Sequence, residues 1–280
     1  MPVGCCDEVT AVGTRTVAVA VPLSNRSELT ADEVISFRHL ERFLGRYDKY
    51  LIAPRTLKVS YPGFEIERFD NRYFGSAAAY SRLMLSARFY EAFREYRYVL
   101  QYHLDSLVFA DELERWCETD LDYIGAPWLN CSDTPFVTVN RVGNGGLSLR
   151  KVESFLAVLH SPKYWVEPAE YWRRVSPDKP GYLQLLNLPR RVFKHFRRFN
   201  GARWEIARRY LGKRNEDYFW SDDAVRYKPD FKVAGFEEGL RFAFEAAPAL
   251  SFELNGRKLP FGCHAWPRYD RSFWEPYLLK

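Results

Sequence analysis

The sequence predicts an α/β fold with a mainly parallel central sheet and flanking helices. Three observations carry that expectation. Apolar, β-branched or aromatic runs of strand length recur early in the chain, in TVAVAV, YDKYLIAP, FEIERFD and YVLQYHLD. Segments of helical character separate the first from the second and the third from the fourth, and such alternation implies parallel neighbours joined by crossovers. Apolar residues make up 47% of the 280 and aromatics 17%, enough to pack one large domain or two small ones. We take residues 15–280 as one such domain and residues 1–14, MPVGCCDEVTAVGT, as a flexible tail.

TVAVAV, residues 16–21, reads as a buried strand that stops at Pro22, where the ladder loses an N–H donor. In SELTADEVISFRHLERFL, cap residues precede an amphipathic repeat that ends near Gly45, so a helix is expected. SAAAYSRLMLSARFYEAFREY reads as one long helix with Leu83, Ala87, Tyr90 and Phe93 at core spacing, leading into the strand of YVLQYHLD. Ligands of parallel sheets gather beyond the carboxyl ends of strands, which is where Pro22 and Asp105 fall. DYIGAPW, a turn-rich stretch to Asn140 and VGNGGLSLR then break the regular pattern. LPRRVFKHFRRFN places Val192, Phe196 and Phe199 on one helical face, most simply a core face, and ARWEIARRYLG follows as a second short basic helix.

The function classes are bounded by what is missing. Five cysteines (Cys5, Cys6, Cys117, Cys131, Cys263) are odd in number and include no C-x-x-C, so a reducing cytoplasm is expected rather than a disulfide framework or a structural zinc site. No apolar run approaches the roughly 20 residues of a membrane-spanning helix, and the first dozen lack the order of a secretory signal. The net charge of +5 is modest, but residues 188–214 gather ten Lys or Arg against Glu205 alone. This basic helical insertion is expected to face an anionic surface, a membrane carrying a lipid-linked acceptor or a charged glycan. No nucleic-acid partner is expected, because its aromatics are explained by an apolar helical face.

Few residues offer chemistry, and each has a plain alternative. Asp105, in YHLDSLVF, either satisfies backbone in the turn after its strand or holds a divalent cation. The glycines of GNGGLSLR, residues 143–150, suit a turn with positive φ. In NEDYFW, Asn215 reads as an N-cap with Glu216 and Asp217 complementing the helix dipole. His264, near the C-terminus in PFGCHAW, reads as a structural histidine, and Ser76, Tyr80 and Arg82 as a cap followed by surface or half-buried side chains.

Taken in order, YHLDSLVF, DYIGAPW, GNGGLSLR, NEDYFW and LPFGCHAW resemble a bacterial family of uncharacterised function read as glycosyltransferases with a GT-A-like fold. The resemblance implies a nucleotide-sugar donor, UDP-linked, whose pyrophosphate is held by Mn²⁺ or Mg²⁺ at an Asp-x-Asp slot. That slot is His103-Leu104-Asp105 here, with His replacing the first acid. It implies Asp105 as metal ligand, His264 as a late third ligand and His103 as ligand, support or bystander. Pro22, Ser76, Tyr80 and Arg82 would contact the donor, and Asn144, Gly145 and Gly146 would floor its sugar. Asp217, or else Glu216, would deprotonate the acceptor hydroxyl of a glycan or lipid-linked acceptor, giving inversion in cell-surface polysaccharide or glycolipid synthesis. Such an enzyme would sit in the cytoplasm, peripherally at the inner face of the membrane. Two other readings fit the same residues: a non-catalytic glycan- or partner-binding module, and a nucleotidyltransferase or phosphate-ester hydrolase, although no P-loop is present.

Overall fold

A computed structural model describes residues 14–175 and 180–279; all but the last residue of the expected tail lies outside them. The first strands are β1 (Arg15–Pro22), β2 (Asp48–Pro54), β3 (Glu65–Phe69), β4 (Tyr96–Tyr102) and β5 (Leu107–Val108). They are followed by β6 (Tyr123–Gly125), β7 (Pro127–Trp128), β8 (Arg141–Val142), β9 (Leu147–Lys151), β10 (Ala243–Phe244) and β11 (Gly262–Cys263). The central sheet has six strands in the order β3-β2-β1-β4-β9-β6. The first four run parallel, and β9 lies antiparallel between β4 and β6. The fold is thus α/β with a mainly parallel sheet and flanking helices. Residues 18–21 of β1 are fully buried, as a strand covered on both faces requires.

The order places β2 and β3 on one side of β1 and β4 on the other, so the connections change direction between β1 and β4. A crevice opens at the carboxyl ends of strands at such a point. The chain after β1 is Pro22-Leu23-Ser24, and after β4 it is His103-Leu104-Asp105.

The helix Ala31–Leu44 starts where expected, because Thr30 and Glu33 close a reciprocal capping box, and Gly45 ends it. The expected long helix of residues 76–96 is two, Ala77–Met84 and Ala87–Ala92. Ser86 breaks it by capping the second, accepting a hydrogen bond from the Arg88 N–H at 3.3 Å. Leu83, Tyr90 and Phe93 are nonetheless buried, so the periodic face survives the break. LPRRVFKHFRRFN is not one helix either: it forms Leu188–Lys194 and a 3₁₀ turn, Arg197–Phe199. Its face is not core, since Val192 and Phe196 are exposed.

A small sheet, in the order β10-β11-β5, stands apart from the large one. Leu107, Leu240, Phe244, Cys263, Trp266 and Trp274 pack together around it. Its strands are two residues long, and packing rather than pairing holds them.

Candidate active site

The small sheet builds the centre of the site. Strands β10 and β11 are parallel with Phe244 opposite Cys263, so the residues that follow them, Glu245 and His264, emerge side by side. Strand β5 is antiparallel to β11 with Leu107 opposite Cys263, which brings the turn before β5 to the same edge. That turn, closed by the Ser106 N–H donating to the His103 carbonyl at 2.9 Å, carries Asp105. His264 therefore lies between two carboxylates: its Nε2 is 3.3 Å from Asp105 Oδ1 and its Nδ1 is 3.1 Å from Glu245 Oε1.

His103 completes the group, its ring centroid 5.4 Å from that of His264. The ligating atoms of His103, Asp105 and His264 lie within 4.8 Å of one another. Burial disfavours the charged form of His264, but Asp105 and Glu245 prevail and raise its pKa to about 10. His103 is driven down to about 3, by burial first and then by the cationic His264, so it is a neutral imidazole. Burial would push the Asp105 carboxyl up, yet His264 holds it well below the usual carboxylate range. A divalent cation would have to displace the His264 proton; two neutral imidazoles and a carboxylate at this separation then suit Mn²⁺ better than Mg²⁺, which prefers oxygen alone.

The glycines of GNGGLSLR serve close approach instead of turning. None of Gly143, Gly145 and Gly146 has a positive φ, which corrects the expected turn. A Cβ on Gly146 would run into the His264 ring, and one on Gly145 into the Glu216 carboxylate and the Arg150 guanidinium. Asn144 is buried and spends its Oδ1 on the Gly146 N–H, 3.0 Å away.

Arg150 is fully buried on β9 and its Nη2 pairs with Glu216 Oε1 at 2.7 Å. It also donates to Tyr90 Oη at 3.0 Å and Ser148 Oγ at 3.0 Å. Clamped by this guanidinium, Glu216 anchors its helical turn. The neighbouring Asp217 has no such partner. It is buried, and its carboxyl is raised well above the usual range by burial, then by Glu216 and Glu245. Its Oδ1 accepts from the Tyr218 N–H at 2.9 Å. Asn215 occupies the N-cap position, but its side chain makes no capping bond.

A cleft of about 740 Å³ opens at the carboxyl ends of β1 and β4 and gathers Pro22, Ser76, Tyr80, His103 and Asp105. Ser76 caps its helix through Oγ, and Tyr80 packs edge-on against His103 with centroids 5.5 Å apart. Arg82 is elsewhere, lining a separate hollow with Arg72 and Arg203. A larger hollow of about 860 Å³ between Phe109 and Phe261 contains none of His103, Asp105, Asp217 or His264. Three participants escaped the sequence reading: Glu245, Arg150 and Arg26, which enters the rim of the cleft paired with Glu33 at 2.6 Å.

The profile of one protein family, described as "Protein of unknown function (DUF5672)", matches residues 63–264. The chain belongs to the DUF5672 family. That match takes in His103, Asp105, Asp217 and His264 of this DUF5672 chain. No curated protein sequence matches it. Among solved structures it is similar to the galactosyltransferase LgtC in complex with donor and acceptor sugar analogs, at 12% identity and a TM-score of 0.47 over 93% of this chain and 92% of that one. It is also similar to a glycosyltransferase involved in the glycosylation of the major capsid of PBCV-1, at 10% identity and a TM-score of 0.42 over 94% and 98%. Both likenesses are loose, and the case for chemistry rests on the DUF5672 chain's own side chains.

Proposed function

We propose that this chain is a glycosyltransferase that moves a sugar from a nucleotide-sugar donor, UDP-linked, to an acceptor hydroxyl with inversion. One observation carries the reading: a cleft at the switch point of the sheet is lined by His103 and Asp105, which with the adjacent His264 are spaced for a divalent cation. Asp105, His264 and His103 would hold Mn²⁺ or Mg²⁺, which supplies positive charge to the leaving diphosphate. Glu245 orients His264 through Nδ1, the support that a metal-ligating imidazole needs.

Asp217 takes the proton. Its raised pKa makes its carboxylate a stronger base than an ordinary aspartate, and one base with no covalent partner suits a single in-line displacement. Arg150 holds Glu216 and thereby fixes the turn that carries Asp217. Pro22, Ser76 and Tyr80 line the donor cleft, and Gly145 and Gly146, whose missing side chains let Glu216 and His264 come close, would floor the sugar. The acceptor is a glycan or a lipid-linked sugar of cell-surface polysaccharide or glycolipid synthesis.

The test is a thermal-shift panel of nucleotide sugars with and without Mn²⁺, followed by NMR of the product's anomeric configuration. A ligand of the native state raises the melting temperature by mass action. One nucleotide sugar stabilising the chain only with metal, and an inverted product, are expected. Indifference to every nucleotide sugar would overturn the reading.

A further inference from the structure

Among the described residues thirteen large apolar side chains are exposed, and seven of them fall within residues 182–196. The helices Gly181–Leu186 and Leu188–Lys194 bury no residue at all. Tyr182, Leu185, Leu186, Val192, Phe193 and Phe196 are each between 50% and 70% exposed, at spacings of three and four that give a helical stripe. Arg190, Arg191, Lys194, Arg197 and Arg198 interleave with them, and none pairs with an acid among the described residues. A groove of about 640 Å³ adjoins, where Trp165, Tyr171, Trp204 and Phe199 stand beside Lys194 and Arg208. The Lys194 ammonium lies 5.3 Å from the Trp165 ring centroid and 5.1 Å from that of Tyr171.

Water is a poor partner for the leucines, and the cations narrow what can replace it. A second copy of the same face would oppose arginine to arginine. A nucleic-acid backbone would satisfy the arginines and leave Leu185 and Leu186 wet. An anionic bilayer meets both halves: phosphate groups face the cations, aliphatic side chains reach the acyl boundary, and Trp and Tyr settle at the interface. No helix among the described residues is long and apolar enough to cross a membrane, so the contact is one of surface docking. We propose that residues 165–175 and 180–208 form a docking face for an anionic phospholipid bilayer. This stands independently of the transferase reading, since it needs neither donor nor metal.

Co-sedimentation of the full chain with vesicles of phosphatidylcholine, with and without phosphatidylglycerol, tests it, with tryptophan fluorescence as a second readout. Pelleting with the anionic vesicles, a blue shift and weakening by salt are expected. Arg190→Gln with Arg191→Gln should lower partitioning by about 30-fold at low salt, roughly fivefold per charge. Leu185→Glu with Leu186→Glu should abolish it, and both pairs are exposed, so the fold persists. No pelleting, or pelleting that ignores both pairs or the anionic lipid, overturns the proposal. A dimer dissolved by the leucine pair would assign the face to a second copy, and RNA binding without vesicle binding would assign it to nucleic acid; either also overturns it.

Discussion

Asp217 carries two opposed demands. Its carboxyl is buried beside Glu216 and Glu245, and its pKa stands above the unfolded value. The stability it contributes is therefore complete at acid pH, below the unfolded value of about 4, and is lost as pH rises through the folded value. Asp217→Asn removes that loss. The variant should melt higher than the parent at pH 8, the difference should close toward acid, and transfer should fall by about 10²–10⁴-fold. Thermal melts across pH read the first outcome; a variant less stable at every pH would mean that Asp217 is structural. Gly146→Ala is a second residue-scale probe, because its new methyl strikes the His264 ring. Mn²⁺ affinity, by calorimetry, should drop by about 10–100-fold, the usual cost of misplacing a ligand. Unchanged affinity would exclude His264 from the cation site.

Strand β9 is the element on which the site depends. It lies antiparallel between β4 and β6 and buries Arg150, whose partner Glu216 comes from a distant turn. Arg150→Met should destabilise by about 3–5 kcal/mol because it strands a buried carboxylate, and Arg150→Met with Glu216→Gln should recover much of that. Denaturant unfolding of both variants checks this; equal losses would show that Glu216 is not the group left unpaired. Legibility in the sequence follows element type. The strands β1, β2 and β4 could be read because burial on both faces makes them apolar runs, and Ala31–Leu44 because its cap is local. The break at Ser86 turns on one side-chain hydrogen bond, which periodicity does not register. Two-residue strands such as β10 and β11 show no period, so Glu245 went unseen. Its signal was a lone acid closing the apolar FAFEAAP, the same pattern that exposes Asp105 in YHLDSLVF. Arg150 had a similar signal, a cation ending the apolar run of GLSLR.

At the scale of the molecule, topology decides where chemistry can gather. The change of direction between β1 and β4 opens the cleft, and the small sheet delivers Glu245, His264 and Asp105 to its edge from widely separated parts of the chain. Pro22 and Asp105 could be located because they end strands; Arg82, placed by its position early in the helix before β4, falls in another hollow. Val192 and Phe196 were misplaced in the core because amphipathic periodicity marks an apolar face without saying whether protein covers it. In the proposed mechanism Asp105 and the two histidines would hold a cation against a nucleotide-sugar donor. Titration calorimetry of UDP-sugars into the parent and Asp105→Asn, each with Mn²⁺ and with EDTA, tests it most directly. Donor binding by the parent should be abolished by EDTA, and an Asp105→Asn chain should remain folded yet bind donor at least about tenfold more weakly, since the substitution removes the charge that a hard cation needs. Donor binding that ignores EDTA, or an Asp105→Asn chain whose donor binding is as tight and as metal-dependent as the parent's, would contradict it.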